Sequence, residues 1–203
     1  MRLVSIGTSC ISGIQIKYIH KQRGLVSPFT WTLSTIENIN TAIESNFNTL
    51  LDRDNYISYT IINSQNKRQL VIQSVCGTKF LHCDPLDNKD HYDKLKAQCR
   101  YIKECLSQSR DIGYMVTIFH SYEKKRNGLR DIRKVIPKDC KFLVTQVNCG
   151  INSEPLLNDD NIYVASVDIG DYTKRVDEGG RQYARAQAYG VSPEYTEIVN
   201  AVF

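Results

Sequence analysis

The sequence predicts an α/β fold, a Rossmann-like, mostly parallel sheet with helices on both faces and a small antiparallel β insertion. Three observations predict it. Short, continuous apolar runs at 2–6, 113–119, 141–147 and 162–167 read as strands buried on both faces. Segments of helical periodicity alternate with those runs, the pattern of parallel strands joined by crossover helices. Residues 56–82 instead carry short strand-like runs joined by polar turns, which suits a hairpin-built insertion.

Taken in order, Arg2–Ile6 is the first strand and Gly7-Thr8-Ser9 its turn. From Ile11 the apolar positions Ile11, Ile14, Ile16 and Ile19 predict a helix that stops near Gly24. Ser9 or Thr8 caps it, placing Cys10 in the first turn. Ser27-Pro28-Phe29-Thr30-Trp31 is a loop. Ser34 or Thr35 then caps a helix over about 35–51, with Ile36, Ile39, Ile43, Phe47 and Leu50 on one face. Tyr56–Ile62, Gln69–Val75 and Lys79–His82 are the insertion strands. Tyr92–Leu106 is a helix with Leu95, Cys99, Ile102 and Leu106 inward. Gly113–Phe119 is a strand, 127–136 a helix that Pro137 ends, and Lys141–Val147 and Ile162–Val167 are strands. Arg181–Tyr189 and Glu194–Phe203 read as helical. The 203 residues suit a single α/β domain, 1–203, with 56–82 as insertion and 170–203 as a C-terminal extension.

Hydrophobic residues at 41% and charged residues at 24% are ordinary for a globular chain. A net charge of +4 without a dense basic stripe argues against nucleic acid as a partner. No run approaches the roughly 18 apolar residues of a membrane span, so no membrane partner is expected. Met1-Arg2 leads directly into an apolar strand rather than a signal-peptide h-region, and seven cysteines are an odd number. Together these predict a cytoplasmic, reducing location with free thiols. Usage rich in Ile, Asn and Tyr suits a viral or bacterial genome of high AT content. Oligomeric state is not legible.

Ligands in open parallel sheets bind beyond the carboxyl ends of the strands. That rule selects Thr8, Ser9 and Cys10 after the first strand, His120 and Ser121 after 113–119, Asn148 and Cys149 after 141–147, and Asp168 and Asp171 after 162–167. Cys10 stands out. A thiol in the first turn of a helix faces unsatisfied N–H groups and the positive dipole end, which favour thiolate, and the same groups can hold an oxyanion. Such a nucleophile needs a base, usually histidine. His20 lies too far along the same helix, and His91 reads as solvated at a helix start. His82, with Asp84 as a possible orienting carboxylate, and His120 remain. Phe29 and Trp31 read either as a pocket wall or as a plug over the core. The dinucleotide fingerprint is absent, since the glycines of Gly7-Thr8-Ser9-Cys10-Ile11-Ser12-Gly13 are wrongly spaced. Cys76-x6-Cys83 misses zinc-knuckle spacing, so neither a metal nor a cofactor is expected. The basic stretch Lys124, Lys125, Arg126, Arg130, Arg133 and Lys134 reads as a solvated face, or as a phosphate-recognition surface.

Ser5-Ile6-Gly7-Thr8-Ser9-Cys10, an amphipathic helix, Gly24-Leu25, and Ser27-Pro28-Phe29-Thr30-Trp31 together resemble the DUF1796 family, which is described by prediction as papain-like cysteine peptidases. That family's pattern is a strand ending Leu-Gly-x-x-Cys, a helix and a Pro-Phe-Asp-Trp loop, then a His-Asp pair before a helix beginning with Tyr. Leu81-His82-Cys83-Asp84 before Tyr92–Leu106 is similar, and the likeness spans about residues 3–148. The resemblance implies Cys10 as nucleophile and His82 as base. Thr30 departs from the family's Asp, and Cys83 interrupts the His-Asp pair. The papain-like description implies an antiparallel sheet, whereas the β-α-β periodicity predicts a parallel one.

Three functions follow. One is a cysteine-nucleophile hydrolase or transferase acting on a peptide, acyl or related bond. One is an SGNH-like esterase using Ser9, although no Asp-x-x-His block stands near the C-terminus. One is a non-catalytic binder of a phosphorylated or nucleotide-like small molecule at the helix N-terminus.

Overall fold

The computed structural model describes residues 2–8, 10–20, 27–30, 32–62, 66–81, 83–108, 111–119, 121–147, 156–158, 161–167 and 193–203. Its larger sheet holds β1 (Arg2–Ser5), β6 (Ile112–Ile118), β7 (Lys141–Val147), β9 (Ile162–Val167) and β8 (Leu156–Asn158), in the spatial order β1-β6-β7-β9-β8. The first four run parallel, and β8 closes the edge antiparallel to β9. The smaller sheet is wholly antiparallel and comprises β2 (Thr32–Leu33), β3 (Ile57–Ile62), β4 (Arg68–Gln73) and β5 (Lys79–Phe80), ordered β2-β5-β4-β3. The predicted α/β class, mostly parallel with an antiparallel insertion, is what the chain adopts.

The parallel strands are buried because both faces are covered, which is why they read as unbroken apolar runs. On one face Val4, Ile6, Tyr114, Val116, Ile118, Phe142, Val144, Ile162 and Val164 pack with α4 (Lys89–Ser107), α5 (Tyr122–Val135) and the smaller sheet. On the other, Leu3, Met115, Leu143, Val147, Ala165 and Val167 meet Ile16 of α1 (Cys10–His20) and Tyr195, Ile198, Val199 and Val202 of α6 (Pro193–Val202). Residues therefore alternate between two cores along the four parallel strands. α1 lies on the face of the sheet opposite α4 and α5, and the four parallel strands follow one another in one direction from β1 at the edge.

The structure departs from the periodicity in a few places. The helix expected over 35–51 is broken into α2 (Ile36–Glu44) and α3 (Asn48–Leu51). Thr35 does cap α2, its side chain accepting from the Asn38 N–H at 3.2 Å. The break comes because Asn46 and Phe47 take left-handed backbone, φ 53° and 64°. That is costly for a bulky residue, about 1–2 kcal/mol, and is offset by complete burial of Phe47 against Phe29, with ring centroids 6.2 Å apart. β2 and β8, only two and three residues long, fell below any periodicity. β5 ends at Phe80 rather than 82. α5 begins at Tyr122 rather than 127, because the Tyr122 N–H finds the Gln146 Oε1 at 2.9 Å. The expected helix 181–189 lies outside the described residues. Among the described residues no helix is long and apolar enough to cross a membrane.

Candidate functional site

Two places collect the residues singled out by sequence. The first is the carboxyl edge at β1 and β6. The Thr8 Oγ1 donates to the Thr117 carbonyl of β6 at 2.6 Å, and the Thr8 carbonyl accepts the Ser34 N–H at 3.0 Å. Ser5 and Ser12 hydroxyls, both buried, meet at 2.5 Å and fasten α1 to the strand it follows. The backbone of Cys10 is the first residue of α1, directly beyond this turn. Ser121 opens α5 half-buried, with no capping bond from its side chain. A cavity of about 120 Å³ lies over this edge, lined among others by Thr8, Ser34, Phe119 and Lys125. Lys125 is engaged by Glu37 at 2.9 Å, and that contact holds the Glu37 carboxyl down to about 2.

The second place is the seam between α1, the 27–30 loop, β5 and α4. Thr30 is buried with its methyl pressed on α1: a Cβ added at Gly13 would stand 2.1 Å from Thr30 Cγ2. Gly13 follows Cys10 by three residues, one helical turn. The Thr30 Oγ1 is buried and has no hydrogen-bond partner among the described residues. Two residues further on, Thr32 opposes Phe80 in the antiparallel pair of β2 and β5. In sequence, Thr30 stands two residues before Thr32, and His82 two residues after Phe80. A cavity of about 260 Å³ opens along this seam, walled by Pro28, Thr32, Phe80 and Cys83 on one side and by His91, Lys94 and Gln98 of α4 on the other.

Ser9, Trp31, His82, His120, Asn148, Cys149, Asp168 and Asp171 lie outside the described residues, and for Cys10 only the backbone is described. Asp84 is placed, and one of its carboxylate oxygens is engaged locally: Oδ1 accepts from the N–H groups of Leu86 at 3.0 Å and Asp87 at 2.9 Å. The Asp84 N–H donates to His91 Nδ1 at 3.0 Å. His91 is thus not the solvated residue expected, but half-buried and facing the larger cavity. The basic stretch also differs from both expectations at Arg133. That residue is 5% exposed and donates to the carbonyls of Ile136, Pro137 and Lys138 at 3.0, 3.2 and 3.0 Å, closing the end of α5. Lys125, Arg126 and Lys134 each pair with a neighbouring carboxylate.

The sequence reading missed His91, Lys94 and Gln98 as one cavity wall. Their spacing of three and four residues along a helix that already carried Leu95, Cys99 and Ile102 inward was the available signal. Among the placed thiols, burial raises Cys99 to about 12 and pushes Cys105 and Cys140 upward, as befits core residues. Cys83 is also raised, by burial, with Lys94 pulling the other way.

No family model matches the chain, and neither a curated protein nor a solved structure matches it.

Proposed function

We propose that the protein is a cysteine-nucleophile acyl-transfer enzyme, a hydrolase or transferase, with Cys10 as the attacking thiol and His82 as its base. The observation that carries this reading is the seam. Thr30 sits on α1 one turn from Cys10, and the register of β2 with β5 brings the chain that leads into His82 alongside the chain that follows Thr30. The resemblance to DUF1796 selects the same three positions, with Thr30 in place of the family's Asp. In this reading the unpartnered Thr30 hydroxyl is the group available to accept the second ring N–H of the base. Asp84, whose Oδ1 is held by its own turn, serves the loop rather than the imidazole.

The Cys10 thiol gives its proton to His82 and the thiolate attacks the carbonyl carbon. The first N–H groups of α1 stabilise the oxyanion. The bond to the leaving group breaks, and His82 returns the proton to that group. Water, deprotonated by His82, then attacks the thioester carbonyl, releasing the acid and the free thiol. A hydrolase and a transferase differ only in the second acceptor.

The test is pre-steady-state release of p-nitrophenolate from p-nitrophenyl acetate. A burst approaching one equivalent per chain, lost in Cys10→Ala and kept in Ser9→Ala, is expected. A burst that survives Cys10→Ala contradicts the assignment, and one lost in Ser9→Ala alone transfers it to the serine.

A further inference from the structure

The larger cavity is not a uniform apolar gap. Its apolar lining is Phe80, Leu95 and Pro28, all three buried. One wall is a polar stripe of α4, with His91, Lys94 and Gln98 placed at i, i+3 and i+7 so that all three share a face. Each offers a proton. Lys94 carries an ammonium, and Gln98 an amide NH₂. The His91 Nδ1 already accepts the Asp84 N–H at 3.0 Å, so the ring proton is on Nε2, a donor. Among the described lining residues there is no carboxylate to oppose them. Asp84 is the nearest acid in sequence to Cys83, and its Oδ1 is taken by two backbone N–H groups. A lysine and two neutral donors, with hydroxyls of Ser27 and Thr32 but no carboxylate among the described lining residues, set beside apolar side chains, recognise an anion with an apolar body. One lysine with two neutral donors suits a singly charged carboxylate better than a phosphate, which draws guanidinium clusters or helix N-termini.

We infer that this cavity binds a small organic carboxylate, its acid group on Lys94, His91 and Gln98 and its apolar part on Phe80 and Leu95. The inference rests on the proposed function only in calling that carboxylate part of the substrate, which makes the substrate class an acyl compound bearing a free acid. The binding itself is independent of catalysis.

Cys83 lines the same cavity and is half-buried, so it reports occupancy. The experiment measures carbamidomethylation of Cys83 by neutral iodoacetamide at mildly alkaline pH, read by peptide mass spectrometry, against increasing benzoate, benzyl alcohol or inorganic phosphate. Benzoate is expected to slow Cys83 labelling saturably, with benzyl alcohol and phosphate each roughly tenfold weaker. Lys94→Met should weaken benzoate protection about tenfold, and Lys124→Met on α5 should leave it unchanged. Cys10→Ala should also leave it unchanged, so a failed nucleophile assignment does not mask or mimic the result. Equal protection by benzyl alcohol, no protection by benzoate at tens of millimolar, stronger protection by phosphate, or full protection in Lys94→Met would each overturn the inference.

Discussion

Gly13→Ala tests the contact on which the seam depends. The new Cβ would lie 2.1 Å from Thr30 Cγ2, where carbon atoms rest about 3.5–4.0 Å apart. Thr30 must therefore retreat by roughly 1.5 Å, and it has little room to do so. Its N–H donates to the Ser27 carbonyl at 3.0 Å, the Phe29 N–H is held by Ser27 Oγ at 3.1 Å, and Phe29 is fully buried against Phe47. Overpacking of this kind costs up to about 3 kcal/mol, while replacing a helical glycine with alanine returns about 1 kcal/mol. The net expectation is a loss of about 2 kcal/mol, read as a lower urea midpoint at unchanged slope. Thr30→Ser removes the clashing methyl, so in that background Gly13→Ala should be neutral or stabilising by up to about 1 kcal/mol. A Gly13→Ala variant as stable as the parent, or strictly additive effects in the double variant, would show that Thr30 does not rest on α1 and would remove the physical link between the loop and Cys10.

Other outcomes follow from the same geometry. Tyr195→Phe breaks the buried bond between Tyr195 and Thr145 that pins α6 to the sheet, and should lower the urea midpoint by the equivalent of about 1–2 kcal/mol; an unchanged midpoint would contradict it. Arg133→Ala removes a donor from the Ile136 and Lys138 carbonyls, while the Pro137 carbonyl keeps the Cys140 N–H, and should cost about 2–3 kcal/mol, whereas Lys134→Ala, exposed and paired with Asp131, should cost under about 0.5 kcal/mol. Glu37 has a depressed folded value, about 2 against an ordinary 4.5, so its contribution is present above pH 4.5 and fades as pH falls toward 2. Because this pair is largely exposed, screening keeps that contribution under about 1 kcal/mol, and Glu37→Gln should flatten the acid limb of a urea-midpoint profile by no more than that.

The parallel sheet was legible because burial on both faces demands uninterrupted apolar runs, and β7 and β9 were located to the residue. The elements that were misread owe their form to contacts distant in sequence. α5 gains its first turn from Gln146, on a strand 24 residues later. The α2 break yields to the burial of Phe47 against Phe29. β2 exists because β5 pairs with it, not because Thr32-Leu33 demands a strand. At the candidate site the passage from β1 into α1, which Cys10 begins, was readable from the switch in period. The cavity beside α4 was not, since it forms between α4 and residues as distant in sequence as Pro28, Thr32, Phe80 and Cys83, and no local pattern marks which polar residues of a helix border a gap. Thr30 shows the same limit. Nothing local in the sequence marks it, and only the fold reveals that its methyl packs on Gly13 and that its hydroxyl is buried without a partner among the described residues.

The most direct test of the central claim is the iodoacetamide labelling rate of each thiol in the native protein as a function of pH. Cys10 is expected to react fastest, with an apparent pKa well below the ~8.5 of a free thiol, while Cys99, Cys105 and Cys140 remain unlabelled in the core. His82→Ala is expected to raise the Cys10 value, and His120→Ala to leave it unchanged. A Cys10 that titrates as an ordinary thiol, or one whose value moves only with His120, would contradict the assignment of nucleophile and base.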